Sequence, residues 1–155
     1  MLTVSGSHTL PATPERIWPR IFDPASLAIL IPGCQQLEQT GPDDYQGTLR
    51  VGLAAVGGTY RTRVHITERR PPESCAFTGT IEGPTGTIQG HAQLTLTPTS
   101  DGHTELAYRG EAIIAGALAS LAGRLVESAA RTLLQQGLDR FDEQLRAEPL
   151  SRGGL

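Results

Sequence analysis

A chain of 155 residues with 38% hydrophobic, 19% charged and 5% aromatic residues suits one globular domain built around a single core. Sixteen acidic against thirteen basic side chains, a net charge of −3 and a pI near 5.8 remove the positive footprint that nucleic-acid binding requires. No run of about 20 apolar residues could span a bilayer, and the opening MLTVSGSHTLPATPE lacks the basic and apolar regions of a signal peptide, so a cytoplasmic protein is expected.

Residues 2–10 alternate, with Leu2, Val4, His8 and Leu10 on one face, the period of a half-buried strand that Pro11 ends. Thr13 followed by Pro14 and Glu15 is a helix-start signature, and Asp23-Pro24 repeats it. Two short helices are therefore expected, the first confined by Pro19 and Pro24, the second over 25–30, with Ile31-Pro32-Gly33 closing the pair. From Cys34 onward, alternating runs separated by Gly, Pro, Asp and Ser predict six strands at 34–40, 44–53, 58–68, 74–82, 86–97 and 103–114. In the third of these Tyr60, Thr62, Val64 and Ile66 share the face expected to be the core, while Arg61, Arg63, His65 and Thr67 share the other.

After Gly116 the period changes to about 3.6. Leu118, Leu121, Ala122, Leu125, Ala129, Leu133, Leu138, Phe141 and Leu145 form the apolar stripe of one long helix of about 30 residues, ended by Pro149 and the tail SRGGL. The expected organisation is one domain over 1–148 and a disordered tail over 149–155. Seven antiparallel strands with one apolar face, covered by one long helix, make an α+β fold. The inward strand faces carry small residues at Gly47, Gly79, Gly90, Ala92, Gly110 and Ala112. These glycines either serve curvature and close packing or leave a cavity between sheet and helix; both readings stay open.

Catalytic signatures are sparse. Cys34 and Cys75 have no CxxC or His/Cys spacing, which gives no metal site, and both read as small buried hydrophobes. His65, His91 and His103 fall on polar faces or in a turn. His8 alone shares an apolar face, where it reads as a core histidine needing a hydrogen-bond partner, with a general base as the alternative. There is no GxSxG elbow, and a chain without lysine cannot build a P-loop. Arg50, Arg61, Arg63, Arg69 and Arg70 form a basic stripe that is either a solvated edge or a docking patch for an acidic or membrane surface.

Taken together, Pro14-Glu15-Arg16-Ile17-Trp18, Asp23-Pro24-Ala25-Ser26-Leu27-Ala28, Ile31-Pro32-Gly33-Cys34 and Asp44-Tyr45-Gln46-Gly47 resemble the opening of the carbon monoxide dehydrogenase G-subunit (CoxG) family of the START-like (SRPBCC) superfamily. Gly58-Thr59-Tyr60, Gly90-His91-Ala92, Thr104-Glu105-Leu106-Ala107-Tyr108 and Ile114-Ala115-Gly116-Ala117-Leu118-Ala119 continue the resemblance to about residue 146. It implies a helix-grip fold, a seven-stranded curved sheet around the long C-terminal helix, with a cavity for an apolar molecule such as a quinone or lipid. It also implies a non-enzymatic accessory role in maturation, membrane recruitment or quinone coupling of a carbon monoxide dehydrogenase-type molybdenum hydroxylase, without a cofactor of its own. The chain ends at SRGGL without the hydrophobic extension of some members, which leaves peripheral membrane contact as the expectation. A small cyclase or hydratase using the same cavity is the alternative. The expected cavity residues are Leu49, Val51, Tyr60, Val64, Phe77, Gly79, Leu94, Tyr108, Gly110, Leu118, Leu121 and Leu125, and the expected docking patch is Arg50, Arg61 and Arg63.

Overall fold

The computed structural model describes residues 2–31, 33–51, 58–120 and 123–147, with the side chains at 51, 118, 120 and 123–126 outside that description. The order is β1 (Leu2–Leu10), α1 (Pro14–Ile21), α2 (Pro24–Leu30), β2 (Cys34–Gly41), β3 (Asp44–Val51), β4 (Gly58–Arg70), β5 (Ser74–Gly83), β6 (Gly86–Pro98), β7 (Thr104–Ala115), α3 (Ala117–Ser120) and α4 (Gly123–Ala147). All seven strands form one curved antiparallel sheet in the spatial order β1-β7-β6-β5-β4-β3-β2, so the first strand returns to pair with the last. The fold is α+β, of the helix-grip kind.

Local chemistry explains most boundaries. Asp23 caps α2, its Oδ2 accepting the Ser26 N–H at 3.2 Å. Thr13 precedes α1 as expected, but its backbone carbonyl rather than its hydroxyl does the work, accepting from the Arg16 and Ile17 N–H groups at 3.1 Å. Pro19 does not stop that helix, which continues to Ile21. Pro19, sixth of the eight residues, deprives the helix of the one hydrogen bond an N–H there would donate to the Glu15 carbonyl, and burial of Ile17 and Ile21 offsets the loss. A bulge between Ile66 and Glu68 lets β4 run to Arg70.

The core sits between the sheet and α4. Phe141, Leu138 and Leu145 pack with Leu10, Ile17, Ile21, Cys75, Leu96 and Leu106 in one buried cluster. Side chains at i, i+3 and i+7 of a helix share a face, which is why these three point together. Spanning 25 residues, α4 is roughly 37 Å long at ~1.5 Å per residue. The expected single helix from Gly116 is described as two pieces, α3 and α4; residues 121 and 122, and the expected tail at 149–155, lie outside the described residues. Gly137 lets α2 approach: a Cβ there would stand 2.6 Å from the Ile29 carbonyl oxygen, so the C-terminal end of α2 is held directly on α4.

Candidate functional site

Between the grip's sheet and helices lies a cavity of about 340 Å³. Its floor is the inner sheet face: Val4 of β1, Thr62 and Val64 of β4, Phe77, Gly79 and Ile81 of β5, Ile88, Gly90, Ala92 and Leu94 of β6, and Leu106, Tyr108, Gly110 and Ala112 of β7. Its roof is Leu27, Leu30 and Ile31 at the end of α2, with Leu134 and Leu138 of α4. Strand alternation turns His91, Arg109 and Glu111 to the opposite face, so they meet the cavity only through backbone. The inward side chains are apolar apart from Thr62, whose hydroxyl donates to the Thr80 carbonyl at 3.1 Å, and Tyr108.

The inward glycines divide into two kinds. At Gly47 a Cβ would collide with the Gln36 carbonyl, and at Gly90 with the Glu111 carbonyl, with Ala112 Cβ only 2.9 Å away; these serve close strand packing. At Gly110 a Cβ would meet nothing nearer than the His91 carbonyl oxygen at 3.4 Å. Beyond it is open cavity. At Gly79 the nearest atom would be the Arg63 carbonyl oxygen at 3.3 Å.

Of the residues expected to line this space, Val64, Phe77, Gly79, Leu94, Tyr108 and Gly110 do. Leu49 and Tyr60 do not: both are buried in a separate cluster with Cys34, Ile81 and Ile114 at the end of the sheet, and the Tyr60 hydroxyl is 2.5 Å from Thr85 Oγ1. Parity places them on the inner face, where they stand opposite each other across the β3–β4 pair and pack against Ile31, Ile81 and Ile88, which lie between them and the cavity space. The side chains of Val51, Leu118, Leu121 and Leu125 lie outside the described residues. The roof from α2 is not legible in the sequence, because the run Leu27-Ala28-Ile29-Leu30-Ile31 is equally consistent with an ordinary buried turn of helix.

His8 is the one inward histidine, and it is engaged on both ring nitrogens. Nε2 lies 2.8 Å from Asp142 Oδ2 and Nδ1 3.3 Å from Gln135 Nε2. With the proton on Nε2, the imidazole donates to Asp142 and accepts from Gln135, the satisfied state of a structural histidine. It joins β1 to α4 across 134 positions of sequence and does not line the cavity. Asp142 also accepts from Arg146 Nε at 2.6 Å. Burial pushes the Asp142 carboxyl up, but hydrogen bonds from His8 and Arg146 outweigh that, and its pKa is lowered overall. A carboxylate with a depressed folded-state pKa contributes stability that is present above its unfolded value and lost as pH falls through the folded one. Chemical denaturation at a series of pH values below about 4 is therefore expected to show a slope that Asp142→Asn reduces; an unchanged slope would mean the network carries no charge-dependent stability.

Burial disfavours the thiolate form at both cysteines. Burial pushes Cys75 up to about 12, and it raises Cys34 as well, although Cys34 is half-buried rather than fully buried as expected. Among the described residues no cluster of His, Cys, Asp or Glu could hold a metal.

The basic stripe is broken up by acids on β5, in the β2–β3 turn and on β4 itself. Arg61 lies 3.9 Å from Glu82, Arg69 pairs with Asp43 at 3.0 Å and stacks over Phe22, and Arg70 pairs with Glu68 at 2.9 Å. Arg50, Arg61 and Arg63 are exposed on the outer face. A polar trough there holds Arg63 beside His65, whose Nδ1 is 2.7 Å from Asp44 Oδ1.

The family model for the G-subunit of carbon monoxide dehydrogenase (CoxG) matches residues 6–146. A solved structure of a conserved protein from Geobacillus kaustophilus superimposes with a TM-score of 0.87 at 30% identity, over 94% of this chain and 95% of the other. A Chromobacterium violaceum protein gives 0.69 at 20% identity over 96% and 100% of the two chains. One from Deinococcus radiodurans gives 0.64 at 16% over 93% and 96%. No curated protein matches the chain.

Proposed function

We propose that this chain, which belongs to the carbon monoxide dehydrogenase CoxG family, is a non-catalytic accessory protein whose cavity carries an apolar molecule of quinone or lipid type. The observation that carries the reading is the cavity itself: about 340 Å³, walled by aliphatic side chains, phenylalanine and bare glycine backbone. That size is at the lower end of the roughly 300–1,000 Å³ of small-molecule sites. A wall with Thr62 and Tyr108 as its polar side chains favours a ligand with a large apolar body and one or two oxygens, the description of a quinone head. A cyclase or hydratase would need a positioned acid–base pair, and the described lining offers the Tyr108 hydroxyl without a base beside it. The family name points to a molybdenum hydroxylase of the carbon monoxide dehydrogenase type as the enzyme served.

Exchange of such a ligand requires approach to a membrane or to that enzyme. No described helix is long and apolar enough to cross a bilayer. Peripheral contact through Arg50, Arg61 and Arg63 is the docking mode in this reading, each contributing about 1 kcal/mol near an anionic surface at moderate salt.

The test is transfer. Protein incubated with quinone-loaded vesicles, re-isolated by size and extracted, should return quinone in proportion to protein, more from anionic vesicles at low salt than at high salt. Quinone absent from the re-isolated protein under every condition overturns the carrier reading, and transfer indifferent to salt and lipid charge overturns the arginine docking mode alone.

A further inference from the structure

The sheet is open, so it has two edges, and they are finished differently. β2 is irregular, with register shifts between Cys34 and Gln36 and between Gln39 and Gly41, and it carries the charge of Glu38. Irregularity and charge are the usual means by which an edge strand avoids pairing with another chain. β1 has neither. It pairs with β7 in unbroken register over nine residues, from Leu2 opposite Ala112 to Leu10 opposite Thr104. It has no proline, no Asp, Glu or Arg, and its one titratable side chain, His8, is turned inward to Asp142. Among the described residues no backbone hydrogen bond beyond the sheet involves β1. Thr3, Ser5, Gly6, Ser7 and Thr9 are exposed.

The strand also reads almost the same in both directions. Leu2-Thr3-Val4-Ser5-Gly6-Ser7-His8-Thr9-Leu10 is symmetric about Gly6 except that Val4 answers His8. In an antiparallel pair directly opposite residues interact, and like hydroxyl residues opposite one another are favourable. A two-fold axis at Gly6 would place Thr3 opposite Thr9 and Ser5 opposite Ser7 of the second copy on the outer face, and Leu2 opposite Leu10 on the inner face. Gly6 would meet itself, bringing no Cβ of its own to the axis, whose inner side is occupied in each copy by the Tyr108 ring that lies over Gly6.

We infer that β1 is a homodimer edge: two copies pair antiparallel through this strand about an axis at Gly6, joining their sheets into one of fourteen strands, twice the seven of one copy. A single strand pair buries less than the roughly 1,200 Å² of a stable interface, so the dimer is reversible and depends on concentration.

Sedimentation equilibrium reads it directly. The wild-type weight-average mass should rise from monomer toward dimer with concentration, while Ser5→Lys/Ser7→Lys, which sets like charges opposite one another twice across the axis, should weaken association roughly tenfold and melt like the wild type by circular dichroism. Register is tested separately in a Cys34→Ser background. Ser5→Cys protein mixed with Ser7→Cys protein should cross-link to a dimer on mild thiol oxidation, and each variant alone far less. A mass that stays monomeric at every concentration overturns the inference, as would equal cross-linking by the mixture and by either variant alone.

Discussion

A chain ending at Ala115 is expected to show no cooperative thermal transition by circular dichroism. The inner sheet face carries Leu96, Leu106, Cys75 and Leu10, each 3% exposed or less, and α4 covers them with Leu138, Phe141 and Leu145. Full burial of side chains of this size contributes about 1.5–3 kcal/mol each, against a total stability of typically 5–15 kcal/mol. Losing three of them from the helix, and exposing their partners on the sheet, therefore removes an amount comparable to the whole. The helix also contributes Gln135 and Asp142 to the polar network that satisfies His8, so truncation would leave that imidazole without partners. The single variant Phe141→Ala grades the effect, since a fully buried phenylalanine truncated to alanine costs about 3–5 kcal/mol. A truncated chain melting cooperatively near the full-length temperature would show instead that α4 is an appendage.

Gly110→Leu and Gly90→Leu should behave oppositely although the two glycines lie on adjacent strands of the same face. At Gly110 the new side chain leaves the backbone into open cavity, its Cβ in ordinary contact with the His91 carbonyl oxygen at 3.4 Å and Ala92 Cβ at 3.6 Å. Affinity for a fluorescent fatty-acid or quinone probe should fall at least about tenfold, a loss of ~1.4 kcal/mol or more, while the melting temperature moves by a few degrees at most. At Gly90 the same change drives a Cβ into the Glu111 carbonyl and Ala112, and backbone cannot yield as a flexible side chain can. Stability should drop by about 1–3 kcal/mol or more, which for a domain of this size is a fall of several degrees. If Gly110→Leu destabilises as much as Gly90→Leu and leaves probe binding unchanged, the cavity is not the binding site.

The contrast between these glycines marks the boundary between local and tertiary information. Strand and helix periods are properties of neighbouring residues, so the alternation of Tyr60, Thr62, Val64 and Ile66 and the spacing of Leu138, Phe141 and Leu145 are visible in the chain before it folds, as is the cap at Asp23. From these follow seven strands, two short helices and a C-terminal helix in the right order, with which face of each strand is buried, and the family follows from the order of short motifs. Lateral position in the sheet follows from none of them. Parity alone assigns Leu49 and Tyr60 to the same inner face as Val64 and Gly110, and only the packing of Ile31, Ile81 and Ile88 against the first two puts them in a filled cluster and leaves the others at an open cavity. The same holds for Gly90 against Gly110, identical in sequence character and distinguished by which carbonyl the neighbouring strand presents. The roof of the cavity depends on α2 meeting α4 at Gly137, and the fate of His8 on an aspartate 134 positions away. Contacts at such separation are decided when the helix closes over the sheet, because packing geometry, and not any local periodicity, selects which residues meet.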